Sequence, residues 1–379
     1  MVRFRFTAAA WTVGVVAILT SACTPVRPGP DAVHTAPGST AVPAWQAEWD
    51  RTVAAANEEG QLVVSGPLGD PWRQLMDTFR QEFPEIAVEF TPMGVEEFFG
   101  QVQRERQAGS FAWDVRVGGL EADVFRARDA GVLTPVRPML FQGLVVDDSL
   151  WAGGLDALFR YEKERRWFAG FLMHVSPSAW VNRGSIAQEG LVSARDLLDP
   201  QWRGKLVILD PRQAAGPLTV LLDAYGEAFV RELLLGQEPR ITSDAREQSD
   251  WVIRGEYPIG VGYTTDLARR FLLQGVIVPV QPVPDGPIGI SPGDGAIQAL
   301  DRAPHPNAQR LFVNWLLTPT VQDRLAAAVG ANSLRLDVHA GDPLLRPDPR
   351  FVETFVCHVC EDMLPVRAEA LRLAQELVR

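Results

Sequence analysis

The residues in this chain that could do chemistry lie in a few short glycine-rich stretches, not in a cluster of acids and bases. Ser65-Gly66, Met93-Gly94 and Gly118-Gly119 each close an apolar run. Glycine has no Cβ, so backbone N–H groups there can come close to a bound group, and the Ser65 hydroxyl can add a donor. Further on, Arg212 opens the loop that ends at Gly216, and Tyr263-Thr264-Thr265 supplies three hydroxyls. Amides at helix starts together with an arginine suit an anion such as a phosphonate, a phosphate ester or a carboxylate. Arg212 can equally pair with its neighbour Asp210, and Arg116 reads as a sheet-edge or salt-bridge residue. Asp266 and Asp294 offer the opposite chemistry, carboxylates that would receive a cationic amine. Any one of the glycines can simply permit a tight turn. Three in succession, each at the end of a strand-like run, point to a crevice.

Catalysis finds little support. The histidines His34, His174, His305, His339 and His358 are scattered, and no Gly-x-Ser-x-Gly elbow, His-Glu-x-x-His pair or phosphate-binding Walker loop is present. The reading is therefore of a protein that is not an enzyme, with no cofactor and no metal. Cys357-His358-Val359-Cys360 is the remaining reactive motif. Outside the cytoplasm its spacing permits a local disulfide. Free thiols, a metal site or redox chemistry stay open, although zinc would need two further ligands that the sequence does not locate.

The start of the chain says where these groups work. Arg3 and Arg5 precede an apolar stretch from Ala8 to Leu19, and then comes Leu19-Thr20-Ser21-Ala22-Cys23. This is the layout of a lipoprotein signal over residues 1–22, with Cys23 as the acylated anchor. An uncleaved anchor or an ordinary signal peptide are the plainer alternatives, and all three carry the chain out of the cytoplasm. Residues 23–44 are rich in Pro, Gly, Ala, Ser and Thr and read as a flexible tether. Two or more acyl chains give stable attachment where one gives only marginal binding. The expected location is the outer face of the cytoplasmic membrane, at the cell surface or in the periplasm. The formal charge of −11 argues against nucleic acid as a partner.

The elements that must position these residues alternate. Gln61–Ser65, Ile86–Phe90 and Asp114–Gly119 read as strands. Asp70–Phe83, Glu96–Ala108 and Ala122–Ala130 read as helices, the first with Asp70 as N-cap and Pro71 in its first turn. Such alternation predicts α/β architecture with a parallel sheet covered on both faces, and ligands of such sheets sit beyond the carboxyl ends of the strands. A second unit follows, with strands at Val175–Asn182, Gly204–Pro211 and Ile259–Tyr263 and helices at Leu191–Leu198 and Leu218–Gly226. At 379 residues the chain is too long for one core and suits two lobes.

Several stretches in unbroken order carry a resemblance. They are Glu59 to Val64, Asp77 to Ile86, Asp114-Val115 with Gly118-Gly119, Ala130 to Leu133, Leu197 to Lys205, Gly255 to Gly260, and Ala303 through Leu317 with Pro319 and Gln322. Together they resemble the family 1 extracellular solute-binding proteins of ABC transporters, in the branch that includes ferric-iron-binding proteins. The resemblance implies a two-lobe periplasmic-binding-protein-like fold of type II with the ligand cleft between the lobes. Lobe 1 would comprise residues 45–174 and 291–345, lobe 2 residues 175–290, and residues 346–379 a C-terminal tail with a helix. It implies a monomer that hands a small-molecule ligand to an ABC permease and its ATPase, or the same clamp serving a membrane receptor as a sensor. Iron-binding members use a histidine, a carboxylate and adjacent tyrosines. Here Ser65, Gly119 and the single Tyr263 stand at those places, with Glu121 slightly out of register. The expectation is thus a small polar anion, with ferric iron, an iron chelate or a polyamine as alternatives.

Overall fold

The computed structural model describes residues 43–262, 274, 279–342 and 355–378. Helix α1 (Ala44–Glu59) leads into strand β1 (Gln61–Gly66), α2 (Asp70–Glu82), β2 (Ala87–Pro92), α3 (Val95–Gln107), β3 (Val115–Gly118) and α4 (Ala122–Asp129). Trp72, Leu75, Met76 and Phe79 recur at helical spacing and form the buried face of α2. The N-cap of α2 is Gly69, not Asp70: Asp70 is already helical and makes no side-chain cap bond, its carboxylate instead lying at the positive end of the helix.

The chain continues through β4 (Leu133–Thr134), the short helix α5 (Gly143–Val146) and β5 (Ala169–Gly170). The expected strand at Val175–Asn182 is two strands, β6 (Leu172–Pro177) and β7 (Ala179–Asn182), because it passes from one sheet to another at Ser178. Next come β8 (Leu206–Leu209), α6 (Gly216–Arg231), β9 (Arg240–Thr242), α7 (Ala245–Arg254) and β10 (Ile259–Val261). Only a 3₁₀ turn, Ala194–Leu198, occupies the stretch expected as a helix from Leu191, and Ser193 with Asp196 closes it as a capping box. Strands β11 (Val280–Pro282), β12 (Ile288–Ser291) and β13 (Ala296–Leu300), helices α8 (Pro306–Leu316) and α9 (Pro319–Val329), and β14 (Asn332–Ser333) follow. The described chain ends with β15 (Val356–Cys357) and α10 (Leu364–Leu377).

Three sheets result. The first has the order β2-β1-β3-β13-β4, with β5 also on β13, and the second β11-β7-β10-β8-β9. Neither is wholly parallel as expected. Strand β13 runs antiparallel to β3 because the chain re-enters the first sheet from the second, and β7 runs antiparallel to β10 because the chain enters there. The third sheet, β14-β6-β12-β15, joins the other two. Two large hydrophobic cores, one for each large sheet, together with a small cluster of Trp180, Val207 and Val252 on the second sheet, give the two-lobe layout.

Asp114 sets the first sheet in place. Its carboxylate accepts from the Val63 N–H on β1 at 2.7 Å and from the backbone and ring of His305 at 2.8 and 2.9 Å, just before α8. Glu59 caps α8 by accepting from the Asn307 and Ala308 N–H groups. Strand β3 and its carboxyl end are therefore pinned from both sides, which fixes the residues described next.

Candidate cleft site at the strand ends

Ser65 and Arg116 are register partners on the parallel strands β1 and β3. Ser65 is wholly buried and its Oγ has no hydrogen-bond partner. Arg116 is neither at a sheet edge nor in a salt bridge, as its position in sequence suggested. It lies on a central strand between β1 and β13, is 3% exposed, and has no carboxylate within ion-pair distance among the described residues. Its Nη1 donates to Gln298 Oε1 at 2.8 Å, while its Nε has no partner. Gln298 is oriented by its own amide, which donates to the carbonyls of Gly118 and Ala296, so its oxygen is left facing the guanidinium.

Gly118 explains how an arginine fits there. Residues two apart on a strand share a face, and a Cβ on Gly118 would sit 2.4 Å from Arg116 Nη1. Only glycine lets the guanidinium lie along its own strand toward the carboxyl edge. The group also lies 5.7 and 5.9 Å from the rings of Phe98 and Phe99, where attraction to the aromatic quadrupole offsets part of its desolvation. Burial pulls its pKa down to about 10, with Asp294 and Glu121 opposing, so it stays charged at neutral pH. A cation buried without a counter-ion is costly. Its unmet N–H and the adjacent Ser65 hydroxyl suit a group that brings negative charge and acceptor oxygens.

The other expected site residues fall into three groups. Gly66 and Gly119 line the same sheet edge. A Cβ on Gly66 would meet the Phe90 ring at 2.8 Å, and one on Gly119 would lie 3.5 Å from the Gly293 carbonyl, beside Asp294. Gly94 is the N-cap of α3 and is exposed, and a Cβ there would touch nothing within 4 Å. In the second lobe Arg212 turns away from an anion-binding role. Its Nε and Nη2 fork onto Asp210 at 2.9 and 2.7 Å, which holds its pKa above the usual arginine range, and its Nη1 reaches the Val378 carbonyl. Gly216 starts α6, where a Cβ would come within 2.9 Å of His358 Nε2. Tyr263, Thr264, Thr265, Asp266 and Cys23 lie outside the described residues.

Cys357 and Cys360 are joined as a disulfide in this structure, with their Cα atoms 5.4 Å apart. Sequence reasoning missed Gln298, the partner of Arg116. It also misplaced Arg116, for which the available signal was a lone cation in the apolar run Val115-Arg116-Val117 followed by glycine.

Residues 65–323 match the profile of the bacterial extracellular solute-binding proteins, well over half of the chain. The chain belongs to this family. Its members are exported and deliver bound solutes to ABC permeases. Among solved structures, iron-bound HitA from Pseudomonas aeruginosa aligns with a TM-score of 0.63 at 18% identity, over 84% of this chain and 99% of its own. FutA (IdiA) from Trichodesmium, in complex with iron and citrate, gives the same TM-score of 0.63 at 18% identity, again over 84% and 99%. The substrate-binding protein of an ABC transporter from Agrobacterium tumefaciens aligns with a TM-score of 0.57 at 15% identity, over 84% of this chain and 94% of its own. At these identities the likeness establishes the fold, the two-lobe type II periplasmic-binding-protein architecture. A search of curated proteins finds no match.

Proposed function

We propose that this solute-binding protein captures ferric iron as an anionic chelate and passes it to an ABC permease. The observation that carries this reading is Arg116, a buried cation with an unmet N–H beside an unpartnered Ser65 hydroxyl at the carboxyl edge of the first sheet. Among the described residues no three of His, Cys, Asp and Glu are grouped to hold a metal ion. Ferric iron is a hard cation that prefers oxygen ligands, and a chelator such as citrate supplies them along with the negative charge that Arg116 lacks. Tyr263 is the candidate for a phenolate contributed by the protein. The iron held by HitA, and the iron with citrate held by FutA, support this cargo over a metal-free organic anion.

Closure of the lobes would remove the chelate from water and present one conformation to the permease. The reading includes attachment to the membrane through an acylated Cys23. Fatty-acid labelling of the wild type should disappear in Cys23→Ser. The cargo is tested by thermal denaturation with ferric citrate, citrate alone, a phosphonate, inorganic phosphate and spermidine, followed by elemental analysis of the protein after gel filtration. Ferric citrate should stabilise, and iron should co-elute. Equal stabilisation by citrate or a phosphonate without iron would overturn the iron assignment and restore a simple anion.

A further inference from the structure

The C-terminal segment lies beyond the family match at residues 65–323, yet it is built into both lobes. Strand β15 adds to the joining sheet, with Val356 and Cys357 opposite Gly289 and Ile290 of β12. Cys357, Val359 and Cys360 are buried in the first lobe's core, and the disulfide closes that loop. Glu361 holds it there by accepting from Arg128 at 2.7 Å and from the Lys163 N–H at 3.0 Å. Helix α10 then leaves the first lobe and buries Ala370, Leu373 and Ala374, with Val378 after it, in the second lobe's core. The Arg231–Glu376 ion pair and the bond from Arg212 to the Val378 carbonyl fasten its far end to the second lobe.

One contact of α10 reaches the other way. Arg367, in the helix's first half, forms an ion pair at 2.5 Å with Glu121, the N-cap residue of α4 in the first lobe. Glu121 follows Gly118-Gly119, so this pair sits at the cleft end of β3. A hinge bends because few strands cross it, and each absorbs a change in φ and ψ. A rigid helix seated in one lobe cannot keep an ion pair to the other when the lobes rotate. We propose that residues 355–378 form an interlobe strap and that the Arg367–Glu121 pair is its latch, holding the lobes at one angle. The strap does not depend on which solute the cleft takes.

Both latch residues are partly exposed, so their substitution leaves the cores intact. The full-length protein is compared with Glu121→Gln, Arg367→Gln and the charge swap Glu121→Arg with Arg367→Glu. Hydrogen exchange is followed at the amides of β6, β12 and β15. Each single variant should exchange about two- to fivefold faster there, which corresponds to ~0.4–1 kcal/mol for a pair of this exposure. Small-angle scattering should show a larger mean radius. The swap should return both readouts to wild-type values, which a merely local structural role would not produce. A double Cys357→Ser, Cys360→Ser variant should speed exchange of β15 as well. If that variant fails to fold, the surface pair still decides. Single variants indistinguishable from wild type, or a swap as fast as the singles, would overturn the latch.

Discussion

Arg116 and Arg212 are both arginines near strand ends, one in each lobe, and they use their charge in opposite ways. Arg212 is exposed and its guanidinium is spent on Asp210, two residues away. Arg116 is buried, and its main polar partner is the neutral amide oxygen of Gln298, 182 residues away. A local carboxylate uses up a cation before any ligand arrives. An arginine whose neighbours in the chain are apolar, and whose only close oxygen belongs to an amide, keeps its charge available. Distance in sequence to the nearest counter-ion therefore says more about a functional arginine than its place at a strand end.

The contrast predicts a series of effects. Arg116→Met keeps the apolar stem and removes the charge. It should abolish the stabilisation by ferric citrate, which for a ligand at one hundred times its dissociation constant is about 2.7 kcal/mol. The unliganded variant should be as stable as wild type or slightly more so, because an incompletely paired buried charge is gone. Paired denaturation curves with and without the chelate check both statements, and a full chelate response in Arg116→Met would break the comparison. Gly118→Ala attacks the same guanidinium from its own strand. Its Cβ must displace Nη1, so a loss of ~1–3 kcal/mol is expected, typical of forced overpacking. Weaker chelate binding should accompany it in a calorimetric titration.

His358 sharpens the comparison as a base buried in the neutral form. Desolvation, helped by positive charge from Arg367 and His174, pushes its pKa from 6.5 down to about 3. Between those values the unfolded chain holds a proton that the folded protein excludes. Stability is thus complete above pH 6.5 and falls as the pH drops. The slope should reach at most ~1.4 kcal/mol per pH unit. Chemical denaturation from pH 7 to 4.5 should show a shallower fall in His358→Gln. The smallest effect belongs to Arg212→Ala, which should leave the chelate-induced shift unchanged. A large loss of binding there would reverse the assignments of the two arginines.

Much of the fold is legible along the chain because it is local. The spacing of Trp72, Leu75, Met76 and Phe79 marks α2, and Leu206–Leu209 is an apolar strand bounded by turns. Strand direction was less so: β13 and β7 run antiparallel because the chain crosses between lobes, a constraint that no window of residues contains. The glycines that close β1 and β3 could be located along the chain, since a missing Cβ is a property of one position. The placement of Arg116 could not, because it depends on Gln298 from a distant strand and on burial against Phe98 and Phe99 of α3. The tail was visible as a helix and a cysteine pair. The apolar face of such a helix announces that something covers it, not which lobe does.

The His358 ring lies between two glycines, Gly216 at the start of α6 in the second lobe and Gly289 on β12 of the joining sheet. A Cβ at either would come within 2.9 or 3.1 Å of an imidazole nitrogen. These positions are the mould of which the tail is the cast. Among related chains, glycine at both should be inherited together with a cysteine-bounded terminal extension. Where the extension is missing, the positions are released to carry ordinary side chains. The pair therefore serves as a tracer of the strap's ancestry, readable in sequences for which no structure exists.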